Sequence, residues 1–158
     1  AYEQDRLTEA RDHLTRAAAF WTEKLTDAAS VEAQAYLGLL DMQEGRSAQG
    51  AGRVQASLDQ ARRMGRVALE AKCRLFLARI SLQERKFGEA IGILDEMPPQ
   101  GAQVVGGEME ALVHYWRSRA LTAQGHLDRA ETERREARRQ AEALRETLPL
   151  SKLLVSRR

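Results

Sequence analysis

Apolar side chains recur every three or four residues along most of this 158-residue chain. That spacing places them on one side of an α-helix, whereas a half-buried β-strand shows strict alternation. One such stripe consists of Leu69, Cys73, Phe76, Leu77 and Ile80. The pattern therefore predicts helices almost throughout and no strands.

Glycine and proline interrupt the pattern and mark the predicted helix ends. Ser30 and Ser47 are predicted N-caps, and Gly65 is predicted to follow a helix end. These signals predict an all-α fold of seven helices, at about residues 3–28, 30–44, 47–64, 67–85, 87–97, 107–124 and 127–148.

Residue types repeat with a period of 40 residues. Two aligned columns hold small residues, one holds aromatic residues and one holds turn residues. They are Ala10, Gly50, Ala90 and Ala130; Gly38, Ala78 and Ser118; Tyr36, Phe76 and Trp116; and Gly45, Arg85 and Gly125. Such a register indicates an array of helical hairpins, because a hairpin with two apolar faces needs neighbours to bury both.

The best preserved repeat pairs a Leu-small step, Leu77-Ala78, with a turn at Arg85 and a second helix. The anchor positions of that second helix are Phe87, Ala90, Leu94 and Met97. This pattern resembles the tetratricopeptide repeat (TPR) family. Its 40-residue period departs from the family's period of about 34 and is similar to the TPR-like arrays of large bacterial signalling ATPases, transcriptional regulators and Ser/Thr kinases. HEAT-type arrays share the longer period and are the structural alternative.

Three positions depart from the family pattern. Asp41 and Ser81 stand where a large apolar residue is usual, and Arg117 stands where Leu is usual.

We therefore predict a single TPR-like domain over residues 1–158, built as an α-solenoid of antiparallel hairpins. Its parts are a half-repeat at 1–29, repeats at 30–66, 67–106 and 107–148, and a tail at 149–158. Because the first helix has no preceding partner, we expect the chain to be a fragment of a longer protein. The apolar face of that helix is a candidate homodimer interface, formed by Leu7, Ala10, Leu14, Ala17 and Phe20.

Charge and hydropathy narrow the range of partners. Lys and Arg number 25 against 23 Asp and Glu, a net charge of +2. The two signs are interleaved in the last helix, where Glu131 and Arg135, then Arg138 and Glu142, have ion-pair spacing. A nucleic-acid reader needs unopposed basic residues, so we expect no nucleic-acid partner. No apolar run approaches the ~18 residues of a membrane span, so we expect a cytoplasmic protein with no membrane partner.

The sequence contains no pattern typical of catalysis. His13, His114 and His126 have neither cysteine partners nor metal-binding spacing. Cys73 is the single cysteine, and its apolar stripe predicts a buried, unreactive thiol. We therefore predict that the protein is not an enzyme and binds no metal or cofactor.

The TPR resemblance implies that the first helix of each hairpin lines a concave face. The residues carried over by position are Leu39, Met42, Lys72, Leu75, Arg79, Leu82, Tyr115 and Arg119. Apolar side chains flanked by cations predict a groove for a protein or peptide partner that is apolar and carries acidic residues. The alternative is that the apolar residues pack between hairpins and the cations are only solvated.

The predicted function is a non-catalytic protein–protein interaction module or scaffold within a larger regulatory protein. The alternative function is a sensor domain that binds a small effector for a signalling ATPase, a kinase or a transcriptional regulator. A ligand-dependent rise in thermal stability separates the second from the first.

Overall fold

The computed structural model describes residues 2–22, 28–97 and 106–147. These residues form seven α-helices and no β-strand, so the predicted all-α class is confirmed. In order the helices are α1 (Tyr2–Thr22), α2 (Ala28–Gln43), α3 (Ser47–Arg63), α4 (Val67–Gln83), α5 (Phe87–Asp95), α6 (Gly106–Ala123) and α7 (Leu127–Thr147).

The chain divides into two compact units. The first, Ala1–Pro98, contains α1 to α5, and the second, Pro99–Arg158, contains α6 and α7. The single domain over residues 1–158 and its solenoid arrangement stay predictions.

The same turn joins α2 to α3, α3 to α4, α4 to α5 and α6 to α7. In each turn one residue has a positive φ, and these are Gly45 (83°), Gly65 (64°), Arg85 (62°) and Gly125 (81°). After α2, for example, the Gly45 N–H donates to the Met42 carbonyl over 3.0 Å and the Arg46 N–H donates to the Asp41 carbonyl over 2.8 Å. These two hydrogen bonds form a Schellman motif, which supplies partners to carbonyl groups that a helix end would otherwise leave without them.

The helices that follow these turns begin at Ser47, Val67, Phe87 and Leu127, at intervals of 20, 20 and 40 residues. The predicted position of Gly65 is therefore confirmed, but both predicted serine caps are wrong. Ser47 is the first residue of α3, whose N-cap is Arg46 and has no side-chain cap bond. Ser30 lies inside α2, which begins at Ala28. The helices α3, α4, α5 and α7 start directly after a Schellman turn, whose backbone geometry fixes the start without a serine.

In the first unit, α4 packs against both α2 and α3. The shared core joins one apolar stripe from each helix. Its buried members are Val31, Ala35, Leu39, Met42, Val54, Leu58, Ala61, Leu69, Cys73, Phe76 and Ile80. The prediction that Cys73 is buried is confirmed, and burial, the main cause, raises the pKa of its thiol to about 12.

Small residues allow α2 and α3 to approach at backbone contact. A Cβ atom added to Gly50 would lie 2.4 Å from the Gly38 carbonyl oxygen, and one added to Gly38 would lie 2.8 Å from the Gly50 oxygen. The corresponding positions Ala78 and Ala90 are also buried. These columns are therefore packing positions, as predicted.

The proposed dimer face of α1 is not open along its length. Leu7, Ala10 and Leu14 pack against a core cluster that includes Leu37 and Leu40 of α2. The expectation of an exposed face is thus wrong for these three residues, which are half-buried against α2, and the homodimer stays a prediction. The side chain of Phe20 lies outside the described residues.

In the second unit, α6 and α7 pack as an antiparallel pair. Gly107 at the start of α6 faces Leu144 near the end of α7, since an added Cβ would lie 3.2 Å from a Leu144 methyl carbon. Val113, Leu121 and Ala130 are buried in the unit.

Candidate functional site

The predicted site residues of the first unit do not form one open surface. Leu39, Met42 and Leu75 are buried, and the first two belong to the core shared with α4. For these three, the expectation of side chains lining an open groove is wrong, because the unit's own helices cover them.

The predicted site residues Lys72, Arg79 and Leu82 are half-buried. Lys72 forms an ion pair with Glu32 and lies 5.6 Å from the centre of the Tyr36 ring. Its charge is therefore paired within the unit. Burial alone would lower the pKa of Lys72, but the ion pair with Glu32 outweighs burial and raises that pKa.

The predicted site residues of the second unit line a groove between α6 and α7. Tyr115 is 43% exposed and its neighbour Leu112 is 36% exposed. The groove has a volume of about 880 Å³. Its lining comprises Glu108, Ala111, Leu112, Tyr115, Ser118, Arg119, Thr122, Ala123, Arg134, Ala137, Arg138, Ala141 and Leu144.

The groove has a mainly apolar floor and a positive rim. Three arginines and one glutamate line it, which gives 3 − 1 = +2 charges. Arg119 is held over aromatic rings, with its guanidinium carbon 5.5 Å from the Trp116 ring centre and its Nη1 donating to the Tyr115 hydroxyl over 3.3 Å. Such cation–π contact orients a cation without neutralising it.

The other two arginines of the groove come from α7. Arg134 pairs with Glu131 and donates to the Thr122 hydroxyl over 3.5 Å. Arg138 is exposed, and the described residues contain no ion pair to it.

This corrects the sequence-based expectation for α7 in part. The predicted pair of Glu131 with Arg135 is present at 3.3 Å, whereas Arg138 does not pair with Glu142. The guanidinium group of Arg138 therefore has no carboxylate partner among the described residues and can bind one in the groove.

Sequence reasoning missed the α7 side of the groove. The TPR resemblance implies a binding face on the first helices, so the predicted site residues did not include Arg134, Ala137, Arg138 and Leu144 of α7. A signal for them was present, because the residues 80 positions earlier, Val54, Ser57, Leu58 and Met64, belong to or adjoin the first unit's core.

A second charged cluster surrounds Asp41, one of the departures from the family pattern. Its side chain is 0% exposed and receives Arg11 at 3.0 Å, Arg46 at 2.9 Å and Arg53 at 3.0 Å. Burial raises the pKa of Asp41, but the hydrogen bonds from Arg46 and Arg11 and the charge of Arg53 outweigh it and hold that pKa below its usual value. Because the arginines come from α1, α3 and the turn between α2 and α3, the cluster ties these elements together.

Ser81, another departure, is likewise partnered. Its hydroxyl donates to Glu89 of α5 over 2.9 Å. Polar groups at these buried positions therefore have partners, as buried polar groups require.

The described residues contain no group of three or more His, Cys, Asp or Glu side chains that could hold a metal ion. His114 instead lies 2.6 Å from Glu133, linking α6 to α7. Within the described part of the chain, no helix combines the length and apolar character needed to cross a membrane.

Comparisons with family models, with curated proteins and with solved structures give no match to this chain. The groove and its charges are therefore the observations on which a function can be based.

Proposed function

We propose that this chain is a TPR-like helical-repeat module that binds a segment of another protein and acts without catalysis. The observation that carries the proposal is the groove between α6 and α7. It exposes Leu112 and Tyr115 beside three arginines, which is the combination of apolar anchors and oriented charge that protein interfaces use.

The repeat part of the proposal is supported by recurring local structure. The positive-φ residue recurs at 45, 85 and 125 in the 40-residue register, and the small column at 50, 90 and 130 is buried each time. Recurrence of the same turn and the same packing position is expected of a helical-repeat protein. The placement within a larger bacterial regulatory protein rests on the sequence resemblance alone, and the placement in the cytoplasm rests on the hydropathy of the sequence.

The test is co-purification of proteins from a lysate of the source cells on the immobilised full chain. We expect Leu112→Glu combined with Tyr115→Glu to abolish retention of specific proteins, since two charges would enter the apolar part of the groove. The control is Leu127→Glu, because Leu127 is 64% exposed and does not line the groove. Circular dichroism establishes that all variants keep their helices. Equal retention by both variants would refute the groove as the binding surface.

A small-effector sensor is the second candidate function. The groove's volume of about 880 Å³ lies within the range of about 300–1,000 Å³ typical of small-molecule sites. A screen for compounds that raise the melting temperature tests it, and a true ligand should lose its effect in the double variant.

A further inference from the structure

The two hairpins α2–α3 and α6–α7 carry equivalent grooves, and the first is filled. Seven buried core residues of α2 and α3 have counterparts 80 positions later that all line the α6–α7 groove. The counterparts of Val31, Ala35, Leu39, Met42, Val54, Leu58 and Ala61 are Ala111, Tyr115, Arg119, Thr122, Arg134, Arg138 and Ala141.

The element that fills the first groove is a helix. α4 supplies Leu69, Cys73, Phe76 and Ile80 to the common core, at positions i, i+4, i+7 and i+11. A helix with that spacing presents one continuous apolar stripe about three turns long. In the second unit the described residues form α6 and α7, and the register counterpart of α4 would begin at residue 147, where the described residues end.

The charge of the second groove differs from that of the first. Leu39, Val54 and Leu58 become Arg119, Arg134 and Arg138 in the second unit. Arg134 already pairs with Glu131, but an entirely apolar helix such as the face of α4 would bury the guanidinium groups of Arg119 and Arg138 without a carboxylate partner, which is costly. Carboxylates on the incoming helix would pair with them, and arginine suits such pairs because its fork matches a carboxylate.

We propose that the α6–α7 groove is the docking site for an amphipathic helix of a partner protein, with apolar side chains at i, i+4, i+7 and i+11 flanked by acidic residues. This inference rests on the proposed function and specifies its partner. The helix lies between α6 and α7 as α4 lies between α2 and α3, with carboxylates toward Arg119 and Arg138.

The charges also argue against the nearest alternative occupant, the chain's own last ten residues. The stretch 149–158 contains Lys152, Arg157 and Arg158 and no acidic residue. Its charge has the same sign as that of the groove, so electrostatic complementarity favours the acidic partner helix.

Two synthetic helices test the proposal. Both are 17-residue, fluorescein-labelled peptides with leucine at the four apolar positions, and they differ only in carrying glutamate or lysine at the flanking positions. Fluorescence anisotropy with the full chain is expected to show the glutamate helix binding about tenfold more tightly or better, with a preference that shrinks as salt rises.

Charge reversal in the groove provides the decisive variant. Arg119→Glu combined with Arg138→Glu should weaken the glutamate helix at least about tenfold and improve binding of the lysine helix. Arg63→Glu combined with Arg129→Glu is the control, because it changes the net charge equally at exposed arginines outside the groove. The control should leave both affinities within about twofold.

Each contrary result overturns a defined part of the account. If both helices bind equally and the Leu112→Glu, Tyr115→Glu double variant loses this binding, the acidic character of the partner is refuted but the proposed function stands. Binding of neither helix overturns helix docking, and binding that appears only after Leu153→Asp and Leu154→Asp shows that the chain's own tail is the occupant. Concentration-dependent dimers in sedimentation that the peptide does not dissociate show that a second copy is the occupant. If the Leu112→Glu, Tyr115→Glu double variant retains the same lysate proteins as the wild type, the proposed function itself is refuted.

Discussion

The α2–α3 and α6–α7 hairpins show how one register produces two different surfaces. They share the same turn, the same buried small positions and a stripe of side chains at equivalent positions on both helices. In the first, α4 covers the stripe and it becomes core. In the second, the stripe lines an open groove and three of its apolar positions have become arginines. Whether such a stripe is part of the core or a binding surface thus depends on what covers it. The arginines indicate that a covering helix should carry carboxylates.

The largest expected effect separates the covered stripe from the open one. Phe76→Ala removes a buried ring from the α2–α3–α4 core and should lower the free energy of unfolding by about 3–5 kcal/mol. Tyr115→Ala in the open groove should cost less than about 1 kcal/mol, because Tyr115 is 43% exposed whereas Phe76 is buried. Urea denaturation of the two variants measures the difference. Similar costs would mean that the groove is not open.

The Asp41 cluster sharpens the comparison, since its counterpart in the second unit is Leu121. Asp41→Asn removes the buried carboxylate that three arginines share, two of which keep Glu44 as a partner, and should cost about 1–3 kcal/mol near neutral pH. Asp59→Asn, on the exposed side of α3, should change stability by less than about 0.5 kcal/mol. Equal costs for the two variants would contradict the role given to the cluster.

The same cluster predicts a pH dependence. The folded pKa of Asp41 lies below its unfolded value, so its stabilisation is present above about pH 4 and is lost as the pH falls through the folded pKa. Acid titration of the unfolding midpoint should therefore be flatter for Asp41→Asn than for the wild type. Parallel curves would show that Asp41 is not linked to folding in this way.

Two glycines on α3 test how closely the covered hairpin is packed. Gly50→Ala places a methyl group against the Gly38 carbonyl and should destabilise by about 1–3 kcal/mol. Gly52→Ala meets no atom within 4 Å and should stabilise by about 0.5–1 kcal/mol through helix propensity. Opposite signs in thermal unfolding are the expected result. The second hairpin has Ser118 and Ala130 at the two contact positions, so its helices do not meet through glycines.

The smallest effect concerns the type of turn that both hairpins share with the α3–α4 and α4–α5 connections. Arg85 is the single non-glycine residue with positive φ among the described turns, and Arg85→Gly should stabilise by up to about 1 kcal/mol. Gly65→Ala should destabilise by a similar amount. A rise in melting temperature for the first and a fall for the second would support the common turn geometry, and the reverse would contradict it.

The helices were largely predictable because glycine at 45, 65 and 125 marks their ends and the register supplies the turn at Arg85. The serine caps were wrongly predicted. At Ser47 the reason is that the preceding turn sets the start of α3 without a side-chain cap. The sequence showed Asp41 only as a departure from the family pattern. Its role was not predictable because one of the arginines that neutralise it lies 30 residues away on α1. The buried state of Leu39 and Met42 depends on α4, which local sequence does not reveal.

Half of the candidate site was predictable in the same sense. Tyr115 and Arg119 follow from helical spacing on α6, whereas Arg134 and Arg138 lie on a helix whose charge pattern resembles a solvated face. Only the packing of α7 against α6 brings the two sets of side chains to one groove.

The most direct test of an open helix-docking groove is to map where the glutamate helix binds, by amide NMR shifts of the isotope-labelled full chain. Binding in this groove should perturb resonances along residues 111–122 of α6 and 134–144 of α7 and leave those of α2 and α3 unchanged. Perturbations centred on α2–α3, or none on α7, would contradict it.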